Sequence, residues 1–295
     1  MKRMDMGLSR RAFLQIMGVT ATVGAAAAFR SVGAEQLSQL AGRALEAAPM
    51  RAMPHRSAVV TGTLWPDSMV SIVGERGGWY QTEQGWTPRE MLQPMLPYAP
   101  AADSRLLKIG EWVEVAAPAA SIRVMCAADA PLVGRIGYGG VLRIVDALPG
   151  EPYGWIAVAD AAGELLGWSQ AAFWRGVEEP VRGTGERSLV IDSRQFEAMA
   201  IEAGREVMVV RCTVGDEVRL GRTAPTAWQI SSTVDSDEHR LGVPWQVAFE
   251  GGKLFGAYWH NAFGRVVPGS SVEVPVLAAR WLYGWLNPES VIEVI

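Results

Sequence analysis

Ser188-Leu189-Val190-Ile191-Asp192-Ser193-Arg194-Gln195-Phe196-Glu197-Ala198-Met199-Ala200-Ile201-Glu202-Ala203-Gly204-Arg205-Glu206-Val207 is the stretch whose reading decides the fold class. Short apolar runs are broken by polar residues, Ala203-Gly204 is a turn signal, and Met208-Val209-Val210-Arg211-Cys212-Thr213-Val214-Gly215 continues directly as another apolar run. That is a hairpin pattern followed by a strand. With 32 Gly and 17 Pro in 295 residues, the rest of the chain also favours many short strands over a helical bundle. One helix is expected near the end. Pro275 is a good first helical residue, and Leu277, Ala278, Trp281, Leu282 and Trp285 keep helical spacing. This places Ser271 just before a helix amino terminus, an end that attracts anions. The predicted fold is mainly β, with a last domain over 186–295 that carries a short helix.

Outward from that domain, a weak internal repeat precedes it. From about 58 to 96, Val59 to Leu64, the turn Trp65-Pro66-Asp67-Ser68 and the string Gly77-Gly78-Trp79 to Gly85-Trp86 read as short strands. A longer copy over 112–177 runs through Ile122-Arg123-Val124, Val133 to Ile144, Gly154-Trp155-Ile156 and Gly167-Trp168-Ser169. In each, one Gly-Trp strand is followed by a second that closes the unit, an order that resembles the bacterial Src-homology-three-like small barrel. Pro94, Pro97 and Pro100 read as a linker between the copies, and Glu179-Pro180-Val181-Arg182-Gly183 as a join to the last domain.

Composition excludes several function classes. At 49% hydrophobic and 20% charged the chain can bury a core. Residues 1–34 hold five basic side chains against one acid, so the net charge of −4 leaves −8 on the remainder. An acidic body argues against a nucleic-acid partner, which needs a basic stripe to neutralise phosphates. The three lysines include none in a Gly-rich strand-to-helix turn, and three His and two Cys lack ligand spacing, so neither a phosphate loop nor a metal site is expected, and no cofactor. His55 and His239 are expected on solvated loops. Cys126 and Cys212 are taken as two free thiols, with a disulfide permissible in an exported protein.

The amino terminus reads as an address. Ser9-Arg10-Arg11-Ala12-Phe13-Leu14, a weakly apolar run to Phe29 and the small residues Val32-Gly33-Ala34 resemble a twin-arginine export signal over 1–34. The resemblance implies export across the cytoplasmic membrane already folded, to the cell envelope or beyond. Cleavage before Glu35 and retention as an anchor both stay open.

Four further segments carry a more specific resemblance. Ala224-Pro225-Thr226-Ala227-Trp228, Gly242-Val243-Pro244-Trp245, Gly256-Ala257-Tyr258-Trp259-His260-Asn261-Ala262-Phe263-Gly264 and Ala278-Ala279-Arg280-Trp281-Leu282-Tyr283-Gly284-Trp285 follow the opening hairpin in the order found in L,D-transpeptidase catalytic domains. These cysteine enzymes cross-link bacterial peptidoglycan. The resemblance implies a peptidoglycan or stem-peptide partner, with Tyr258, Trp259, Asn261 and Ser270 as binding residues. The catalytic positions depart from the family pattern. Phe255 stands where the family's string opens with His, and Pro268-Gly269-Ser270-Ser271 stands where Ser-His-Gly-Cys is found, so Gly269 replaces the motif histidine and Ser271 the nucleophile.

A serine hydroxyl needs an adjacent base to attack at all, whereas a thiol is readily poised as thiolate. His260 is the one substitute at hand. Five residues from Phe255, it falls on the opposite face of a regular strand unless a bulge or turn intervenes. Two readings follow. In one, the protein is a non-catalytic relative that holds peptidoglycan or an envelope partner; in the other, Ser271 is the nucleophile and His260 the base of an acyl transferase or hydrolase.

Overall fold

The computed structural model describes residues 40–98, 107–150, 154–234 and 240–295. The signal segment 1–34, Pro100 and His239 lie outside them. The first unit contains β1 (Leu40–Ala44), β2 (Ala48–Arg51), β3 (Val60–Leu64), β4 (Met69–Ile72), β5 (Gly74–Arg76), β6 (Trp79–Thr82), β7 (Gly85–Pro88) and β8 (Leu92–Met95). The second contains β9 (Trp112–Val115), β10 (Ala119–Arg123), β11 (Leu132–Gly137), β12 (Val141–Leu148), β13 (Trp155–Ala159), β14 (Leu165–Gln170) and β15 (Trp174–Gly176). The last domain follows with β16 (Arg187–Asp192), β17 (Glu197–Glu202), β18 (Arg205–Arg211), β19 (Thr213–Gly215), β20 (Gly221–Thr223), β21 (Pro225–Val234), β22 (Arg240–Phe249), β23 (Gly252–Ala257), β24 (Val266–Val267), β25 (Ser271–Pro275), α1 (Val276–Trp285) and β26 (Val291–Val294). Among the described residues the structure is mainly β, with one short α-helix.

The first two units are one topology used twice. The second is a single sheet in the order β11-β10-β14-β13-β12-β9-β15, and the first repeats that order as β3-β2-β7-β6-β5 and β4-β1-β8. The split arises where the counterpart of the eight-residue β12 is interrupted at Val73, giving β4 and β5. Each repeat also pinches at the same place. Trp86 is the register partner of Arg51 and Trp168 of Arg123, and the preceding Gly85 (φ 148°) and Gly167 (φ 145°) leave no room for a side chain, since a Cβ would lie 2.7 Å and 2.5 Å from the carbonyls of Arg51 and Arg123.

This equivalence corrects the expected boundary at 58. The first unit starts by Leu40, because β1 and β2 are the counterparts of β9 and β10. Pro94, read from sequence as linker, instead lies in β8 opposite Gly42, at a sheet edge where a missing N–H is tolerated. The Trp65–Ser68 turn forms with Ser68 N–H donating to the Trp65 carbonyl at 2.9 Å.

In the last domain, a five-stranded sheet β18-β17-β16-β26-β20 packs on a six-stranded sheet β21-β22-β23-β25-β19-β24. The Ala203-Gly204 turn joins β17 and β18, both residues with positive φ (49° and 73°). Leu189, Ile191, Ala198, Ala200, Val247, Leu254, Val272 and Val274 belong to one core that continues into Val113, Ile144 and Trp174 of the second unit. The first unit keeps a separate small core around Leu40, Met50, Ile72, Tyr80 and Leu92.

β25 runs beside β23 in parallel register through Ala257↔Pro275, and the helix starts only at Val276. Ser271 therefore opens a strand rather than preceding the helix, which is a correction to the sequence expectation. α1 buries Val276, Ala278, Ala279, Leu282 and Tyr283 against the sheet. At its other end Gly183 N–H and the Arg187 guanidinium take the carbonyls of Gly284 and Trp285. No helix among the described residues is long and apolar enough to cross a membrane.

Candidate functional site

Phe255 and Glu273 are register partners in the β23–β25 pair, so their side chains leave the sheet on the same face. Ser271, two residues before Glu273, points that way too. α1 covers the opposite face, where a Cβ on Gly256 would touch Ala279 Cβ at 3.1 Å. Phe255 is fully buried, its ring centroid 6.1 Å from that of Trp259.

The strand-parity expectation for His260 does not hold, because β23 ends at Ala257 and the chain bends at Tyr258 and Trp259. The bend returns His260 to the Glu273 side. Its Nε2 lies 2.7 Å from Glu273 Oε2, and its Nδ1 accepts the Ala262 N–H at 3.2 Å. Since a backbone N–H only donates, Nδ1 carries a lone pair and the ring proton sits on Nε2, donated to the carboxylate. Thr213 Oγ1 donates to the same carboxylate oxygen at 2.8 Å. The His260 and Glu273 side chains are 13% and 11% exposed, and Phe263 packs on the imidazole with ring centroids 4.8 Å apart. Both imidazole nitrogens are thus committed, and neither serves the nearly buried Ser271 hydroxyl.

The 268–270 loop is pinned from the β19 side. Gly269 N–H donates to Asp216 Oδ1 at 2.9 Å, and its carbonyl accepts the Glu217 N–H at 3.0 Å. Gly269 has φ 90°, a conformation that a histidine there would adopt only under strain. Gly215 leaves room for the loop, since any Cβ on it would overlap the Gly269 carbonyl.

The first unit covers this region. Asn261, 6% exposed, donates its side-chain amide to the carbonyls of Arg89 (2.9 Å) and Leu92 (2.7 Å). Arg43 reaches across to the Tyr258 carbonyl at 3.2 Å while its Nε donates to Asp67 at 2.7 Å. A cavity of about 20 Å³, room for roughly one water, remains between Tyr80, Arg89 and Gln93 on one side and His260 and Asn261 on the other.

Of the expected binding residues, Tyr258 and Asn261 are spent inside the protein. Tyr258 donates its hydroxyl to the Leu241 carbonyl at 2.7 Å, and burial pushes its pKa up to about 12. Trp259 is half-buried beneath the Arg240 guanidinium, 5.3 Å from its ring. Ser270 is half-buried, and its carbonyl accepts the Lys253 N–H at 3.1 Å. Neither cysteine is poised as a nucleophile. Cys126 and Cys212 are free thiols, and burial, with Glu197 nearby, pushes Cys212 up to about 12, away from thiolate chemistry. His55 is exposed and shares a hydrogen bond with Ser57. Among the described residues no group of three or more His, Cys, Asp or Glu is placed to hold a metal ion.

Glu273 and Thr213 were missed by the sequence reading. The signal was present in Ser271-Val272-Glu273-Val274, where strand alternation puts an acid on the Ser271 face of an otherwise apolar strand.

Comparison with known proteins gives structural neighbours only. No protein-family model and no curated protein matches the sequence. An L,D-transpeptidase from Mycobacterium tuberculosis superposes with a TM-score of 0.35 and 18% identity, over 43% of this chain and 64% of that one. An L,D-transpeptidase from Stackebrandtia nassauensis does so with a TM-score of 0.33 and 11% identity, over 40% and 58%. One from Mycobacterium smegmatis has a TM-score of 0.35 and 13% identity, over 52% and 99%. The matched region spans less than two thirds of the first two neighbours.

Proposed function

We propose that the protein is an exported cell-envelope protein whose last domain resembles L,D-transpeptidases but lacks their chemistry, and that it binds peptidoglycan or holds an envelope partner. The observation that carries this reading is the state of His260: one nitrogen donates to Glu273 and the other accepts from Ala262. A base for Ser271 needs a free lone pair within hydrogen-bond reach of the hydroxyl. Phe255 in the first histidine's place and the pinned glycine in the second's support the same conclusion. So does the first unit, which takes Asn261 as a structural contact. Localisation by the twin-arginine route rests on the Ser9–Ala34 sequence pattern, and the wall partner on the motif order from Ala224 to Trp285.

The test mixes the full-length protein with a muropeptide tetrapeptide donor and an acceptor amine and follows exchange by mass spectrometry, beside a Ser271→Ala variant and a pull-down on intact sacculi. No exchange with sacculi retained is the expected result. Exchange that disappears in Ser271→Ala would establish a serine-dependent acyl transferase and overturn the proposal.

A further inference from the structure

A cleft of about 790 Å³ opens on the outer side of α1, where the second unit, the 177–185 join and the last domain meet. Its size and its place at a domain junction are those of small-molecule sites. Its walls are chemically specific. Glu114, 2% exposed on β9, receives the guanidiniums of Arg175 from β15 and of Arg280 from α1, the latter through Nη1 at 3.1 Å. Two cations on one buried carboxylate leave one positive charge. Both arginine side chains are 37% exposed and line the cleft, and each guanidinium has five donors, more than Glu114 can take. Burial pulls the Arg175 pKa down, but the charge and hydrogen bond of Glu114 together with those of Tyr138 hold it above its usual value, so the cation persists.

Beside the pair lies a flat aromatic surface. Trp281 is half-buried and stacked on Trp285, with ring centroids 5.2 Å apart and planes at 17°. Trp285, 5% exposed, also lines the cleft, and its buried Nε1–H has no acceptor among the described residues. Across the cleft, Glu179 is already bound by Arg182 and the Tyr283 hydroxyl, whereas Glu178 stands exposed at the rim. The positive pole is therefore local to Arg175 and Arg280, next to an aromatic plate.

We propose that this cleft binds an anionic sugar, its carboxylate or phosphate gripped by Arg175 and Arg280 and its ring laid on Trp281. Arginine forks match planar and tetrahedral oxyanions alike, and an aromatic face takes the apolar side of a ring. The site is apart from the His260–Glu273 network. The wall-binding reading enters only in the choice of one probe.

Calorimetric titration of the full-length protein at low salt uses N-acetylmuramic acid, N-acetylglucosamine 1-phosphate, neutral N-acetylglucosamine and the acidic dipeptide Ala-Glu. At least one charged sugar should bind, the tighter of the two naming the anion, with the neutral sugar and the dipeptide at least tenfold weaker. Arg280→Gln and Trp281→Ala should each weaken that binding at least tenfold. Arg280 also holds Glu114, so if Arg280→Gln fails to fold, Trp281→Ala on the outer helix stripe decides, with its thermal midpoint as the control. Absence of charged-sugar binding at millimolar concentration, equal binding of the neutral sugar or the dipeptide, or wild-type affinity in Trp281→Ala overturns the proposal. Retention on sacculi with no binding of the four probes would overturn the cleft alone, and sugar binding without sacculus retention would overturn the wall-binding reading alone.

Discussion

Glu273 shows how a single buried acid redirects the chemistry of its neighbours. It accepts from His260 and Thr213 and thereby uses up the histidine that the Ser271 mechanism needs. Glu273→Ala strands two buried donors, so we expect a loss of about 2 kcal/mol in urea denaturation, with no transpeptidation gained. Ser271→Cys is likewise expected to yield no acyl transfer in the muropeptide assay, because its base is still missing. Buried acids also set an alkaline limit. Cys212 moves from 9.0 to about 12, and Tyr80 and Tyr258 from 10.0 to about 12, all chiefly by burial. Between those values the unfolded chain binds fewer protons than the folded one, so stability is full below about pH 9 and falls as pH rises toward 12, each group contributing a slope of about 1.4 kcal/mol per pH unit. Urea midpoints measured from pH 8 to 11 check this, and Cys212→Ala should lessen the loss above pH 9 without abolishing it, since burial also raises Cys126.

At the scale of elements, the turns carry testable strain. Ala203 is exposed and holds φ 49° in the two-residue turn with Gly204. A left-handed conformation costs an ordinary L-residue roughly 1–2 kcal/mol, and asparagine tolerates it best. Ala203→Asn should therefore stabilise the β17–β18 hairpin by about 0.5–1 kcal/mol, read as a rise in the thermal midpoint. Gly215→Ala acts in the opposite direction, since the new methyl overlaps the Gly269 carbonyl and forces the 268–270 loop to move; a loss of about 1–3 kcal/mol is expected in denaturant titration. Of these elements, the Ala203-Gly204 and Trp65–Ser68 turns were legible in the sequence, because turn chemistry is local. β1, β2 and the strand nature of Pro94 were not, because their status comes from pairing with segments tens of residues away.

Over the whole molecule, cohesion is uneven. The second unit and the last domain share one core, whereas the first unit has its own and attaches through Asn261, Arg43, the Arg135–Asp67 ion pair at 2.8 Å and a small cluster of Ala41, Met95 and Tyr138. It should open as a separate cooperative block. Asn261→Ala removes two hydrogen bonds across the junction, and native-state hydrogen exchange in β1–β8 should quicken at least fivefold, an effect of about 1 kcal/mol, with β16–β18 unchanged. A uniform response over all three parts would show a single block instead.

The amino-acid sequence by itself determined the mainly β class, the repeated Gly-Trp units and the helix with its tryptophan stripe, since alternation and turn residues are properties of short segments. Only the tertiary structure decided what the remaining polar groups do. The bend at Tyr258–Trp259 turns His260 onto Glu273, the first unit claims Asn261, and β25 delays the helix beyond Ser271. Each is a long-range pairing of strands or side chains, set by which surfaces meet when separate sheets share a core.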